Sequence, residues 1–234
     1  MTTYSDNLFL ASLDPADMTE LASHLRRVRL DLGDVIVEQG DEIDRAVLPI
    51  DAQLANILQL SDGGMVEVAI VGREGLAGLA PIMSGRPCGW RISVRAAGAA
   101  YVGPASVVRA LQRGSAAFMG RLLDLTQFYQ EQAAQTGACN AHHRLQAQLA
   151  KWILTAADLA PSGSLRFTHE ELASLLGCQR TSVTAAAQAL EAAGAVEYSR
   201  GRITVVSRKR LEAHACECYQ ALRVRAAIVG VETG

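Results

Sequence analysis

The sequence predicts an α+β chain: a rolled β-barrel or sandwich first, a long helix next, and a winged helix-turn-helix last. Three observations carry this. Short apolar segments separated by Gly-Asp turns fill residues 28–102, helical periodicity takes over after Pro104, and residues 168–206 alternate helix, tight turn, helix and hairpin. That last stretch, THEELASLLGCQRTSVTAAAQALEAAGAVEYSRGRITVV, is where the chemistry concentrates.

The chain of 234 residues is long enough for two domains, and half its residues are hydrophobic, which excludes a disordered chain. No apolar run approaches the ~20 residues that span a bilayer, and MTTYSDNLFLASLDP lacks the basic start and long apolar core of a secretory signal. A soluble cytoplasmic protein is expected. Net charge is −2, unevenly placed: residues 1–114 hold 10 basic and 14 acidic side chains, residues 115–234 hold 12 and 10. Arg200, Arg202, Arg208, Lys209 and Arg210 gather positive charge near the expected wing. Five scattered cysteines, an odd number, indicate reduced thiols rather than a disulfide framework.

Asp14-Pro15 places a cap and a Pro at a helix start, with Leu21 and Leu25 as the apolar side. Strands are then expected at 35–37, 46–48, 54–60, 66–71, 91–96 and 99–102, with turns at Gly33-Asp34, Gly40-Asp41, 61–64 and Gly72. Metal-dependent barrel enzymes need clustered His and carboxylate ligands, and His24 is the only histidine before residue 142. An enzyme is therefore not expected. The segment 72–85, GREGLAGLAPIMSG, is a candidate anion-binding loop, and ordinary barrel turns explain it equally well.

Phe118, Leu122, Leu125 and Tyr129 repeat at spacings of four, three and four, a coiled-coil-like seam expected to form the dimer interface; Met119 and Leu123 form a neighbouring stripe. Burial of the seam within one monomer is the competing reading. Gly137-Ala138-Cys139-Asn140 is expected to interrupt this helix as a hinge, before a helix over 141–159 with Leu145, Leu149, Trp152 and Ile153 inward and a loop at 161–164. A single last helix is expected over 207–228. Cys216 and Cys218 would then point about 200° apart and share no ion, and His142 and His143, adjacent on a helix, are not expected as ligands.

Thr168 and Glu171 form a capping-box pattern for a first helix from His169, and Gly177 supplies the turn. From Arg180 a second helix places Val183, Ala186, Ala187 and Leu190 inward, and Thr181, Thr184, Ala185 and Gln188 outward, a small polar face suited to a major groove. Gln179 is a weak N-cap for it. Residues 195–206 read as the wing, Arg200 and Arg202 at its tip. Cys178, in the turn, is a candidate redox-sensitive thiol and more simply a packing residue.

This order of elements resembles the Crp/Fnr family of bacterial transcription regulators. The likeness is strong over LASLLGCQRTSVTAAAQALEAAGAVEYSRGRITV and moderate in the N-terminal half, carried there by LGDVIVEQGDEID and the segment after Val71. It implies a double-stranded β-helix (jelly-roll) of the cyclic-nucleotide-binding type over 1–114, a dimerisation helix over 115–137 and a winged helix-turn-helix over 138–234. The implied partners are double-stranded DNA, a second copy of the chain and RNA polymerase, with no membrane, cofactor or metal. A homodimer would bind an inverted repeat, with Arg180 reading guanine, Thr181 and Thr184 reading base edges, and Ser182, Arg200 and Arg202 holding phosphates. Gln179, Gln188 and Thr168 complete the candidate surface.

Two departures limit the carry-over. Thr181 and Ala185 stand where the best-known recognition helix of the family has Glu and a second Arg, so a different operator is expected. Leu76 replaces the Glu that holds the ribose of cyclic nucleotide, and the phosphate-binding Arg-Ser pair falls near Trp90-Arg91, so the effector is not expected to be cyclic AMP. The N-terminal cysteines of iron–sulfur members are missing. The alternative function is a barrel that senses a small molecule and signals through protein contacts.

Overall fold

The computed structural model describes residues 6–159, 164–199 and 201–228. Short helices α1 (Leu8–Ala11) and α2 (Pro15–Ser23) precede seven barrel strands: β1 (Arg26–Leu30), β2 (Val35–Val37), β3 (Arg45–Pro49), β4 (Gln53–Gln59), β5 (Met65–Val71), β6 (Arg91–Ala96) and β7 (Gly98–Pro104). They form two antiparallel sheets, ordered β1-β7-β3 and β2-β6-β4-β5. Each expected strand is present. β1 was not expected, because Arg26-Arg27-Val28-Arg29-Leu30 buries only its last residue and shows no clean alternation. α3 (Leu79–Ser84) interrupts the strands after β5, and α4 (Ala105–Gly114) follows β7. Among the described residues no helix is long and apolar enough to cross a membrane.

The long helix α5 runs unbroken over Ala116–His142, and α6 over Leu145–Leu159. The expected interruption at Gly137–Asn140 is corrected: an exposed Gly inside a well-anchored helix costs only ~1 kcal/mol, less than its neighbours supply. The chain turns instead at His143, whose backbone is extended. Gln148 holds this corner, its Nε2 donating to the carbonyls of His143 (2.8 Å) and Cys139 (3.2 Å).

The expected dimer seam also requires correction. Phe118, Leu122 and Leu125 have almost no accessible surface within the single chain, and they join the barrel core with Leu10, Leu76 and Ile82. Tyr129 reaches under the helix to Gly75, where a Cβ would lie 1.8 Å from its hydroxyl. Side chains already enclosed have no area to give a second subunit. The exposed stripe of α5 is Gly120, Leu123, Gln127, Gln130, Ala134, Gly137 and Ala141, spaced alternately three and four.

The barrel buries the Glu74 carboxyl without a cation bonded to it. Glu74 Oε1 accepts the Gly72 N–H at 2.8 Å, and Oε2 has no hydrogen-bond partner. Burial pushes this carboxyl above its ordinary 4.5, and the Gly72 N–H pulls back only partly. The folded state therefore keeps the proton to higher pH than the unfolded state does. Stability is lost as pH rises from 4.5 to the folded value, with no further loss above it. Glu74→Gln should remove that part of the slope, which urea midpoints across about pH 4.5–8 would show. Identical slopes in the two proteins would refute it.

The C-terminal unit contains β8 (Ser164–Arg166), α7 (His169–Leu176), α8 (Arg180–Ala192), β9 (Val196–Ser199), β10 (Arg202–Val205), α9 (Arg208–His214) and α10 (Cys218–Ile228). Of the expected loop at 161–164, Ser164 opens β8, and 161–163 lie outside the described residues. The single last helix is corrected to two. Ala215 is extended, so Cys216 lies in the break and Cys218 starts α10, and the opposed directions assigned to the pair do not apply. A second core, built from Leu149, Trp152, Ile153, Leu172, Val183, Leu190 and Ile203, holds α6 to the winged helix-turn-helix.

Candidate nucleic-acid interface

Thr168 and Glu171 form the capping box: the Thr168 hydroxyl accepts from Glu171 N–H (3.2 Å), and Glu171 Oε2 accepts from Thr168 N–H (2.6 Å). Gly177 ends α7 in the left-handed region (φ 64°), and its Cα faces Val66 on β5 so closely that a Cβ would sit 2.9 Å from that side chain. The turn of the motif is thus set by backbone conformation and by the barrel together.

Val183, Ala186, Ala187 and Leu190 are the buried side of α8, as expected from their spacing. Arg180, Thr181, Ser182, Ala185 and Gln188 are exposed on the other side. Gln179 makes no side-chain cap, so the first N–H groups of α8 receive no bond from it. Thr184 is different. Its hydroxyl lies 2.9 Å from His169 Nδ1 and 3.0 Å from the Arg180 carbonyl, tying α8 to α7 instead of pointing outward. Burial, and then the nearby Arg180 charge, push the His169 imidazole below its ordinary value. The same ring packs on Tyr198 at 4.3 Å, while the Tyr198 N–H donates to Glu191 Oε1 (2.8 Å) and its hydroxyl to the Phe167 carbonyl. His169 and Tyr198 therefore position α8, a role with no signal in local sequence.

The wing is a three-stranded sheet ordered β8-β10-β9. Arg202 stands opposite Arg166 in the β8–β10 pair, both exposed, and they line an open cleft of about 410 Å³ with Glu197, Ser199, Gly201 and Thr204. Sequence reasoning missed Arg166, because only the strand pairing brings it beside Arg202. Arg200 lies outside the described residues. Two other expected surface cations serve the domain itself. Arg208 bonds Asp158 (2.6 Å) and Glu212 (3.0 Å), and Arg210 Nη1 donates to the Ala193 carbonyl at the end of α8. Cys178 packs half-buried against the second core, where burial pushes its thiol up and lowers its thiolate content.

Within the segment 72–85, several N–H groups already have partners inside the protein. Gly72 donates to Glu74, Gly75 to Gly72, Ala77 to Val47 and Ile82 to Gly78. Leu76 is enclosed, and Arg91 pairs with Glu38 at 3.3 Å. Beneath α5 lies a cavity of about 310 Å³ lined by Val71, Leu76, Trp90, Thr126, Tyr129 and Gln130 among others, and no charged side chain is in its lining.

Residues 147–214 match the Crp-like helix-turn-helix domain. No curated protein matches the chain in sequence. Among solved structures, a Crp/Fnr-family regulator from Eubacterium rectale aligns with a TM-score of 0.72 at 19% identity, covering 89% of this chain and 98% of its own. FixK2 from Bradyrhizobium japonicum aligns at 0.67 with 14% identity over 82% and 98% of the two chains. A CRP/FNR-family transcriptional regulator from Thermus thermophilus aligns at 0.66 with 20% identity over 81% and 98%. Residues 147–214 are a Crp-like helix-turn-helix domain, carried on a chain with the fold of the Crp/Fnr transcriptional regulators.

Proposed function

We propose that this protein is a sequence-specific transcription regulator that binds an inverted-repeat operator as a homodimer. The observation that supports it most directly is the exposed, uncluttered polar face of α8, together with the exposed Arg166–Arg202 pair of the wing. α8 enters the major groove, where Arg180 and Thr181 read base edges and Gln188 flanks them. Ser182, the uncapped start of α8 and the two wing arginines hold phosphates. Thr184 contributes its methyl group and the placing of the helix rather than a hydroxyl contact.

The second copy pairs along the exposed stripe of α5 from Gly120 to Ala141, whose small residues let two helix backbones approach. The half-sites then lie about one DNA turn apart. The uncharged cavity beneath α5 is suited to an apolar small-molecule effector, which would bear on the dimer helix through Thr126, Tyr129 and Gln130. RNA polymerase is a further candidate partner for this role.

Selection of bound fragments from random DNA, followed by gel shifts, tests the reading. Arg180→Ala should relax preference at one base pair by about 1–3 kcal/mol. Arg202→Ala should weaken all sequences alike and reduce the salt slope by about one. No selected sequence, or equal loss from both substitutions on specific and random DNA, would overturn the assignment.

A further inference from the structure

At the corner between α5 and α6 the fold assembles four side chains with metal-ligating chemistry. Cys139 and His143 are one turn apart at the end of α5, on the same face. Cys216 and Cys218 come from the break between α9 and α10. Their ligand atoms all lie within 4.8 Å of one another, with Cys139 Sγ 3.5 Å from Cys216 Sγ, and Cys218 Sγ 3.5 Å from His143 Nδ1.

We propose that Cys139, His143, Cys216 and Cys218 form a structural Cys3His zinc site that fastens the long helix to the C-terminal helices. Four donors at zinc bond lengths sit at tetrahedron edges of about 3.5–3.8 Å, so the observed separations need only small side-chain adjustments. One ion fits between atoms this close; the larger core of an iron–sulfur cluster does not. Three thiolates and an imidazole are the donor set of closed structural zinc sites, with no position left for water or substrate.

The surroundings match a metal site beyond the four ligands. With Nδ1 turned to the cysteines, His143 places Nε2 3.1 Å from the Glu217 carboxylate, the carboxylate–histidine arrangement that orients a metal-bound imidazole. Gln135 Nε2 donates to Cys218 Sγ at 3.0 Å, a second polar group turned toward the sulfur cluster. Three thiolates, a neutral imidazole and a dication leave one negative charge. The buried Lys151, whose positive charge acts on Cys139, offsets it. The three cysteines are buried and form a cluster of their own, apart from both apolar cores. Simple packing explains enclosed thiols, but it gives no reason for an imidazole nitrogen aimed at them and backed by a carboxylate.

The test is elemental analysis of the full chain, purified under reducing conditions without chelator. One zinc per chain is expected in the native protein and in Cys178→Ser, and none in the Cys216→Ser/Cys218→Ser double variant. Because that variant can fail to fold, cobalt titration of the metal-stripped native protein gives an independent reading. It should show sulfur-to-cobalt charge transfer and the intense visible bands of a tetrahedral thiolate site. Glu217→Gln should keep the site but weaken it about 10–100-fold. A metal-free native protein with only a pale octahedral cobalt spectrum would overturn the proposal. So would zinc retained in the double variant, iron with acid-labile sulfide, or a Cys139–Cys216 disulfide.

Discussion

Glu67→Ala is expected to destabilise the protein by about 3–5 kcal/mol, the cost of leaving a buried charge without its partner. Glu67 Oε1 accepts from Arg95 Nη1 (2.9 Å) and from Trp152 Nε1 (3.0 Å), joining β5 and β6 of the barrel to α6. The Arg95 guanidinium also lies 4.1 Å over the Trp152 ring, which packs edge-on against Phe167. Both charged groups are buried. Burial pushes the Glu67 carboxyl up and the Arg95 guanidinium down, each partner opposing the shift of the other.

Removing the carboxylate strands Arg95 and the indole N–H together. Arg95 Nε and Nη2 and Glu67 Oε2 already lack partners, so the pair is incompletely satisfied even when intact. Replacing both residues by apolar ones of similar volume should therefore recover most of the loss. Urea denaturation of the single and double variants measures this. A loss below about 1 kcal/mol for Glu67→Ala would mean that water reaches the network and that it does not hold the domains.

Phe118→Ala is the second large effect, about 3–5 kcal/mol from lost burial and the cavity left behind. Phe118 is fully enclosed and meets Phe9 edge-on at 6.0 Å between ring centroids. The substitution should weaken the barrel in chemical denaturation while native-state sedimentation still reports the dimer. Leu123→Glu, on the exposed stripe, should do the reverse: little change in the stability of the barrel and a shift toward monomer. A Phe118→Ala protein that dissociates without losing barrel stability would return the interface to the Phe118 face.

The two faces of α5 show why sequence periodicity stopped short. Phe118-Leu122-Leu125-Tyr129 and the Leu123 stripe both recur at helical spacing, and the more apolar one was expected to meet the partner. The barrel is the closer competitor for apolar surface, so it takes the stronger seam. The cysteines were misread for a similar reason: a 22-residue helix was assumed where Ala215 breaks the chain, and that assumption set Cys216 and Cys218 on opposite sides. In the Gly-rich segment, where an anion loop and ordinary barrel turns fit the sequence equally, Gly72, Gly75 and Ala77 donate to Glu74, Gly72 and Val47, as turns of the barrel do.

The sequence by itself determined the winged helix-turn-helix, because its signals are local. A capping box spans four residues, Gly177 marks the turn, and the two sides of α8 follow from spacing within thirteen residues. Only the tertiary structure decided which side of α5 is free, that Arg166 stands beside Arg202, and that Cys139 and His143 meet Cys216 and Cys218. Those pairings join residues tens of positions apart, and what brings them together is the burial of other side chains, which no local pattern records.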